Sequence, residues 1–401
     1  MTSTTPAGQD PLRSLLRSSH HLPADRLGTV VSRHATLLGA RAAVVYLADY
    51  EQSSLVPVPG EDVPPRTPLT VDGSVGGLAF RRVEVTRSPG HDAAVRLWVP
   101  LLDGAERVGV LELLFDAEPL AEQDDERRAF AALVAELCVT RSAYSDVFAR
   151  LRRTRPMSLA AEIQWDLVPP LTFGTERVVI SAALEPSYGI GGDTFDYAVN
   201  GPVADLMVLD AMGHGLPAAL LATVAVGAYR SARRHERSLP ATSEAMNTAI
   251  AGQFPGSQFA TALLTRLDLL SGRLSWVNAG HGAPLVVRDG VLLPAHPCRP
   301  ALPLGLQQGP AHECEVQLRP GDRVLLHTDG ITEARSPAGE FFGEERLADF
   351  VVRAETAGDP PPETLRRLMR SVMDHQAGRL QDDATIVLVE WRTGHEDQLT
   401  L

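Results

Sequence analysis

Three apolar runs in the second half of the chain stop at an aspartate or begin just beyond one. Leu206-Met207-Val208-Leu209 runs into Asp210, Arg323-Val324-Leu325-Leu326-His327 leads to Thr328-Asp329-Gly330, and Thr385-Ile386-Val387-Leu388-Val389 starts just after Asp382. Runs of this length and composition read as buried strands, so each acid stands where the chain leaves or enters a sheet. A fourth acid, Asp193, follows Gly191-Gly192. Glycine lets the backbone turn sharply or approach a ligand closely. Acids at strand ends can converge at one end of a sheet, and these four together read as the carboxylate cage of a two-metal centre. All-oxygen donors of this kind suit Mg2+ or Mn2+ rather than zinc. Singly, each motif has an ordinary reading: Asp-Gly is a common turn, Asp382-Asp383 could cap a loop, and Gly191-Gly192-Asp193 could sit in a hairpin. Four such acids within one domain-sized segment argue for the cage.

The chain has 401 residues, which suggests two domains, and its apolar content suffices to bury both. With 37 basic and 50 acidic residues the net charge is −13, which argues against nucleic acid or an anionic membrane as the main partner. Cys138, Cys298 and Cys314 show no paired or metal-ligand spacing, so a reduced cytoplasm is expected. Met1-Thr2-Ser3-Thr4-Thr5 is polar and lacks a signal-peptide core. The apolar stretch 218–229 is too short to span a bilayer and reads as a buried helix.

A first domain is expected over residues 22–118. Helical spacing covers 27–38, strands are expected at 42–47, 54–58, 95–101 and 108–115, and a glycine-rich turn at 73–77. A helix followed by a mostly antiparallel sheet indicates an α+β sensor fold. Val45-Tyr46-Leu47-Ala48-Asp49, Gly73-Ser74-Val75-Gly76-Gly77-Leu78-Ala79-Phe80 and Val108-Gly109-Val110-Leu111-Glu112-Leu113 resemble a GAF domain. That resemblance implies a small-molecule ligand or a dimerising role, and His91 reads as a surface loop residue. A helical linker is expected over 119–158. Phe130, Leu137, Tyr144 and Leu151 recur every seven residues with Leu133 and Val147 between them, which fits either the seam of a homodimeric coiled coil or one helix packed on its own domain. Pro156 ends or kinks that helix.

Over residues 159–395 the motifs resemble the SpoIIE/RsbU branch of the PPM-type, metal-dependent serine/threonine phosphatases. The matching residues are Leu159-Ala160-Ala161-Glu162-Ile163-Gln164, Leu167-Val168-Pro169-Pro170, Gly191-Gly192-Asp193-Thr194-Phe195-Asp196 and Asp210-Ala211-Met212-Gly213-His214-Gly215. They continue with Phe259-Ala260-Thr261, Asn278-Ala279-Gly280-His281, Pro303-Leu304-Gly305, Thr328-Asp329-Gly330 and Asp382-Asp383-Ala384-Thr385, in the family's order. The resemblance implies a PPM-type α/β/β/α sandwich. It implies that Asp210 bridges two Mn2+ or Mg2+ ions, that the Ala211 carbonyl assists one of them, and that Asp193, Asp329 and Asp382 complete the set. Asp196 and Asp383 are left as outer candidates. The expected chemistry is hydrolysis of a phosphoserine or phosphothreonine by water activated between the ions. The expected partner is a phosphorylated regulatory protein such as an anti-sigma-factor antagonist. His214 and His281 are expected to be structural rather than general acids. A non-catalytic sensor scaffold is the alternative from another class. A two-metal nuclease is disfavoured by the acidic charge.

Overall fold

A computed structural model of the chain describes residues 10–399 apart from 91–93, 190, 255, 257, 295 and 379. His91 and the polar first five residues lie outside the described residues. The chain forms two compact units, one running to Arg155 and joined by Gln398–Leu401, the other Pro156–Asp397.

The first unit is built on strands β1 (Ala42–Ala48), β2 (Ser54–Pro57), β3 (Leu69–Thr70), β4 (Thr86–Pro89), β5 (Val95–Asp103) and β6 (Glu106–Phe115). They form one antiparallel sheet in the order β3-β2-β1-β6-β5-β4. Side chains alternate between the faces of a strand. On β1, Val45 and Leu47 enter a core shared with the helices Pro11–Ser19, Leu27–Ala35 and Asp124–Ser142, while Val44, Tyr46 and Ala48 pack on the opposite face. Both faces are covered, which explains the uninterrupted apolar run.

Two expectations for this unit are corrected. Residues 73–77 are not simply a turn: the Ser74 hydroxyl accepts from the Gly77 amide at 2.9 Å and caps a helix, Val75–Arg82. A Cβ on Gly77 would lie 2.0 Å from the Val71 carbonyl oxygen, so this glycine serves close helix–strand packing. The expected linker is also absorbed. Phe130 and Leu137 are buried, with Val134 and Cys138, in the first unit's own core, and Tyr144 is exposed in the break before the helix Val147–Arg152. Phe130 and Leu137 are therefore not free to form a homodimer seam. A heptad seam and a helix stripe on a sheet use overlapping positions, and here the sheet takes them.

The second unit contains β7 (Thr172–Gly174), β8 (Val178–Glu185), β9 (Asp193–Asn200), β10 (Val203–Ala211), β11 (Ala260–Asp268), β12 (Arg273–Ala279), β13 (Leu285–Arg288), β14 (Val291–Leu292), β15 (Glu313–Gln317), β16 (Arg323–His327) and β17 (Ala384–Trp391). One antiparallel sheet has the order β15-β12-β11-β10-β9 and the other β14-β13-β16-β17-β8-β7. The sheets face each other: Leu206 and Val208 of β10 share a core with Val387 and Val389 of β17. The outward residues Met207 and Leu209 pack against the helices Leu216–Arg234 and Leu239–Gln253. Ile386 and Leu388 pack with residues of the helices Glu344–Thr356 and Pro361–His375. The layers are thus α/β/β/α, and strands buried on both faces lose the alternation that a half-exposed strand would show.

Cys298 and Cys314 form a disulfide, with Cα atoms 6.0 Å apart, that ties the segment before residue 304 to edge strand β15. This corrects the expectation of unpaired thiols: the two are 16 residues apart, so only the folded loop brings them together. The cysteines consequently no longer argue for a reducing compartment. Stretch 218–229 lies within Leu216–Arg234, and among the described residues no helix is long and apolar enough to cross a membrane.

Candidate metal centre

The strand ends bring the acids together. Asp193 opens β9 and sits directly opposite Asp210 of β10 in the ladder, so both side chains leave one face of the same sheet. Asp329 begins the short helix Asp329–Thr332 after β16, and Asp382 and Asp383 immediately precede β17, the neighbour of β16 in the other sheet. Each sheet therefore contributes acids to one end of the sandwich. A cleft of about 520 Å3 opens there, lined by Asp210, Asp382 and Asp383 with Met212, His214 and Thr261.

Electrostatics ties the set together. Burial, then the charges of Asp329, Asp382 and Asp383, push the Asp210 carboxyl up to about 6. Burial and Asp210 hold Asp193 well above the usual carboxylate range. Burial, Asp382 and Glu333 raise Asp329, and burial foremost raises Asp383. Among the described residues the largest influences on these four acids are burial, neighbouring acids and hydrogen bonds, not a cationic side chain. Like charges held this close call for a counter-charge, and hard oxygen donors without imidazole or thiolate fit Mg2+ or Mn2+. Among the described residues no three acidic, histidine or cysteine side chains converge tightly enough to enclose an ion as they stand. The fit therefore rests on the donor chemistry and the missing counter-charge.

Close backbone approaches build the surrounding frame. The amides of Gly191 and Gly192 each donate to Asp383 Oδ2 at 2.7 Å, so Asp383 is committed to holding that loop while Asp382 stays beside the cleft. A Cβ on Gly192 would lie 2.4 Å from the Ala211 carbonyl oxygen, and one on Gly330 would lie 1.8 Å from the Asp383 carbonyl oxygen. The Ala211 amide in turn donates to the Gly192 carbonyl at 3.3 Å. Two residues that sequence reasoning gave no role complete the frame. Thr328 donates its hydroxyl to Asp193 Oδ2 at 2.5 Å and accepts from the Thr385 amide at 3.0 Å, linking the sheets. Gln164, on the helix Leu159–Leu167, donates from Nε2 to the Asp193 carbonyl at 2.9 Å. Both stand inside motifs quoted above, and that was their only signal.

Asp196 does not join the centre. Its buried carboxylate pairs with Arg230 and, at 3.2 Å, with Arg233 on the helix Leu216–Arg234. His281 is half-buried, with Nδ1 2.8 Å from the Thr261 hydroxyl and Nε2 2.9 Å from the His327 carbonyl. Burial lowers its pKa to about 4. A neutral ring whose Nε2–H is given to a carbonyl has no proton for a leaving group. His214 is exposed and lines the cleft between Gly213 and Gly215, both at positive φ.

Residues 203–392 match the family model "Stage II sporulation protein E (SpoIIE)". Protein IcfG of Synechocystis is 30% identical over 136 residues, covering 33% of this chain and 21% of that protein. "Phosphoserine phosphatase RsbU" of Bacillus subtilis is 22% identical over 236 residues, covering 58% of this chain and 69% of its own length. Among solved structures, the RsbU and RsbW domains of a Mycobacterium tuberculosis protein are 26% identical with a TM-score of 0.49, covering 56% of this chain and 63% of that one. The chain thus spans about a fifth of IcfG and about two thirds of RsbU. By the family match, residues 203–392 of the C-terminal unit carry a SpoIIE-family, PPM-type phosphatase domain.

Proposed function

We propose that the C-terminal unit is a metal-dependent protein serine/threonine phosphatase that acts on a phosphorylated regulatory protein, such as an anti-sigma-factor antagonist. The observation that carries this reading is the set of Asp193, Asp210, Asp329 and Asp382 at one end of the sandwich, with raised pKa values for the first three that come, among the described residues, foremost from burial and neighbouring acids. Two Mn2+ or Mg2+ ions held by these carboxylates and the Ala211 carbonyl would supply an activated water and a hold on the phosphate oxygens. The chain's own residues do the positioning. Asp383 fixes the Gly191-Gly192 loop, Thr328 orients the Asp193 carboxylate, Gln164 holds the Asp193 backbone, and neutral His281 braces Thr261 at the cleft wall. The relative named a phosphoserine phosphatase supports the substrate class.

The N-terminal unit belongs to this reading as a GAF-like sensor domain, supported by its six-stranded antiparallel sheet with helices on the core face. A cytoplasmic site of action goes with the same reading. The test is Mn2+-dependent phosphate release from phosphoserine and phosphothreonine peptides and from an aryl phosphate, with Asp210→Asn and Asp329→Asn as controls. Release that both substitutions abolish is expected. No release from any of these substrates would refute the catalytic reading and leave a scaffold.

A further inference from the structure

The cleft at the acidic end of the sandwich is walled by like charge. Among the described residues its lining includes Asp210, Asp382 and Asp383 and neither lysine nor arginine. A cation stands just outside it. Arg335 follows the short helix Asp329–Thr332 and meets Phe341 in an antiparallel bridge across a tight hairpin. The Ser336 amide donates to the Glu340 carbonyl at 2.9 Å, and the Gly339 amide to the Ser336 carbonyl at 2.8 Å, which closes the turn. Two contacts fix the hairpin to the body of the unit. Phe342 is buried and meets the His375 ring edge-on, and His375 Nε2 lies 2.9 Å from the Glu340 carbonyl. A third contact ties it to the cleft: Gln381, which lines the cleft and directly precedes Asp382, donates from Nε2 to the Arg335 carbonyl at 3.1 Å.

The Arg335 backbone is thus pinned at the rim, while its side chain is left over by the fold. Its guanidinium lies over the Phe341 ring, 4.5 Å from the centroid, and both residues are exposed. Among the described residues the Arg335 guanidinium makes no ion pair and no hydrogen bond. Glu340, the acid nearest along the hairpin to Phe341, is paired instead with Arg346 at 3.6 Å. A ring beneath a guanidinium steadies its plane and leaves the N–H donors at its edge open to a carboxylate. The stack therefore holds one oriented, unspent positive charge beside a cleft that otherwise repels anions.

We propose that Arg335, steadied by Phe341, determines specificity by receiving an aspartate or glutamate that stands near the phosphoserine of the substrate segment. The inference rests on the phosphatase reading of the cleft and adds the chemistry of the flanking sequence. A phosphoserine seated among the acids sets its own acidic neighbours against like charge, except on the side where Arg335 offers the opposite one. The test uses the full chain with Mn2+ at low salt. Phosphoserine peptides that differ in a single residue, aspartate or lysine, are compared at each position near the phosphoserine. The readout is the ratio of kcat/KM for the aspartate peptide to that for its lysine counterpart, in which a folding or metal-binding defect cancels. At one or more positions the parent is expected to give a ratio of about five that falls as salt is raised, as for an exposed ion pair. Arg335→Gln should bring that ratio to about one, Arg335→Glu should invert it, Arg335→Lys should keep part of it, and Phe341→Leu should lower it. A parent ratio near one at every position, a ratio indifferent to salt, or the parent's preference surviving in Arg335→Glu would overturn the inference while peptide turnover leaves the phosphatase reading standing. No turnover of any peptide or of an aryl phosphate would refute that reading, and the inference with it.

Discussion

Asp210→Asn should stabilise the metal-free protein while abolishing the response to metal, a pair of effects that an ordinary structural acid would not give. In the folded chain the Asp210 carboxyl titrates at about 6 against an ordinary value of 3.8. A shift of about two pKa units corresponds to about 3 kcal/mol against the ionised form, at about 1.4 kcal/mol per unit. The sign follows from linkage: the folded state holds its proton more tightly than the unfolded state, so the penalty is full above pH 6 and vanishes below pH 4. Asparagine carries no charge and escapes most of it. In EDTA at pH 7.5 the variant should therefore gain up to about 3 kcal/mol, or roughly 6–12 °C for a domain of this size. The gain should shrink steadily as the pH is lowered toward 4. Differential scanning calorimetry, following the transition that Mn2+ shifts in the unsubstituted chain, measures both arms. With Mn2+ the order reverses, because only the unsubstituted chain gains binding energy. A variant less stable than the parent in EDTA at pH 7.5 would show that Asp210 already has a favourable partner, and the missing counter-charge would fail as an argument.

Gly330→Ala would drive a methyl into the Asp383 carbonyl, so Mn2+ affinity should fall at least tenfold by calorimetry while the first unit's thermal transition stays put. His281→Ala removes a half-buried ring with two polar contacts and should cost about 1–3 kcal/mol of stability, measured by urea denaturation. Any loss of phosphatase activity should then be equal on a phosphopeptide and on an aryl phosphate with a good leaving group; a loss confined to the phosphopeptide would make His281 a proton donor. Cys298→Ser, or reduction of the parent, opens a loop whose ends are 16 positions apart and should cost about 3 kcal/mol on the chain-entropy account, read as a lower melting temperature that dithiothreitol does not lower further.

Where a residue's neighbours in sequence are also its neighbours in space, the sequence carried the information. Leu206-Met207-Val208-Leu209 lacks alternation because helices cover one face of its sheet and a second sheet the other, and Asp210 marks the point where that cover ends. Asp193 and Asp382 are separated from Asp196 and Asp383 only by tertiary contacts. Asp196 is claimed by arginines on the helix Leu216–Arg234, and Asp383 by glycine amides nearly two hundred residues away. No local pattern encodes such partners, and motif order separated the inner pair from the outer one. The same limit hid the Cys298–Cys314 bond and the parts played by Gln164 and Thr328. For Phe130 and Leu137 the spacing indicates an apolar stripe and leaves both covers open, because spacing cannot say whether a second helix or the domain's own sheet will take it.

The origin of the acids has a mechanical consequence. Asp193 and Asp210 hang from one sheet, Asp329 and Asp382 from the other, and the two sheets are otherwise joined chiefly by apolar contact. At the acidic rim, among the described residues, Thr328, the Asp383 clamp and the His281–His327 bond cross between them as side-chain bonds. Ions seated there would act as a rivet at the mouth of a hinge, and stripping them leaves like charges prying the two leaves apart. Amide hydrogen exchange in EDTA should accordingly quicken first at the Asp193, Asp210 and Ala384 ends of their strands, while the opposite edge around Trp391 and Leu269, held by an indole–carbonyl bond, stays closed.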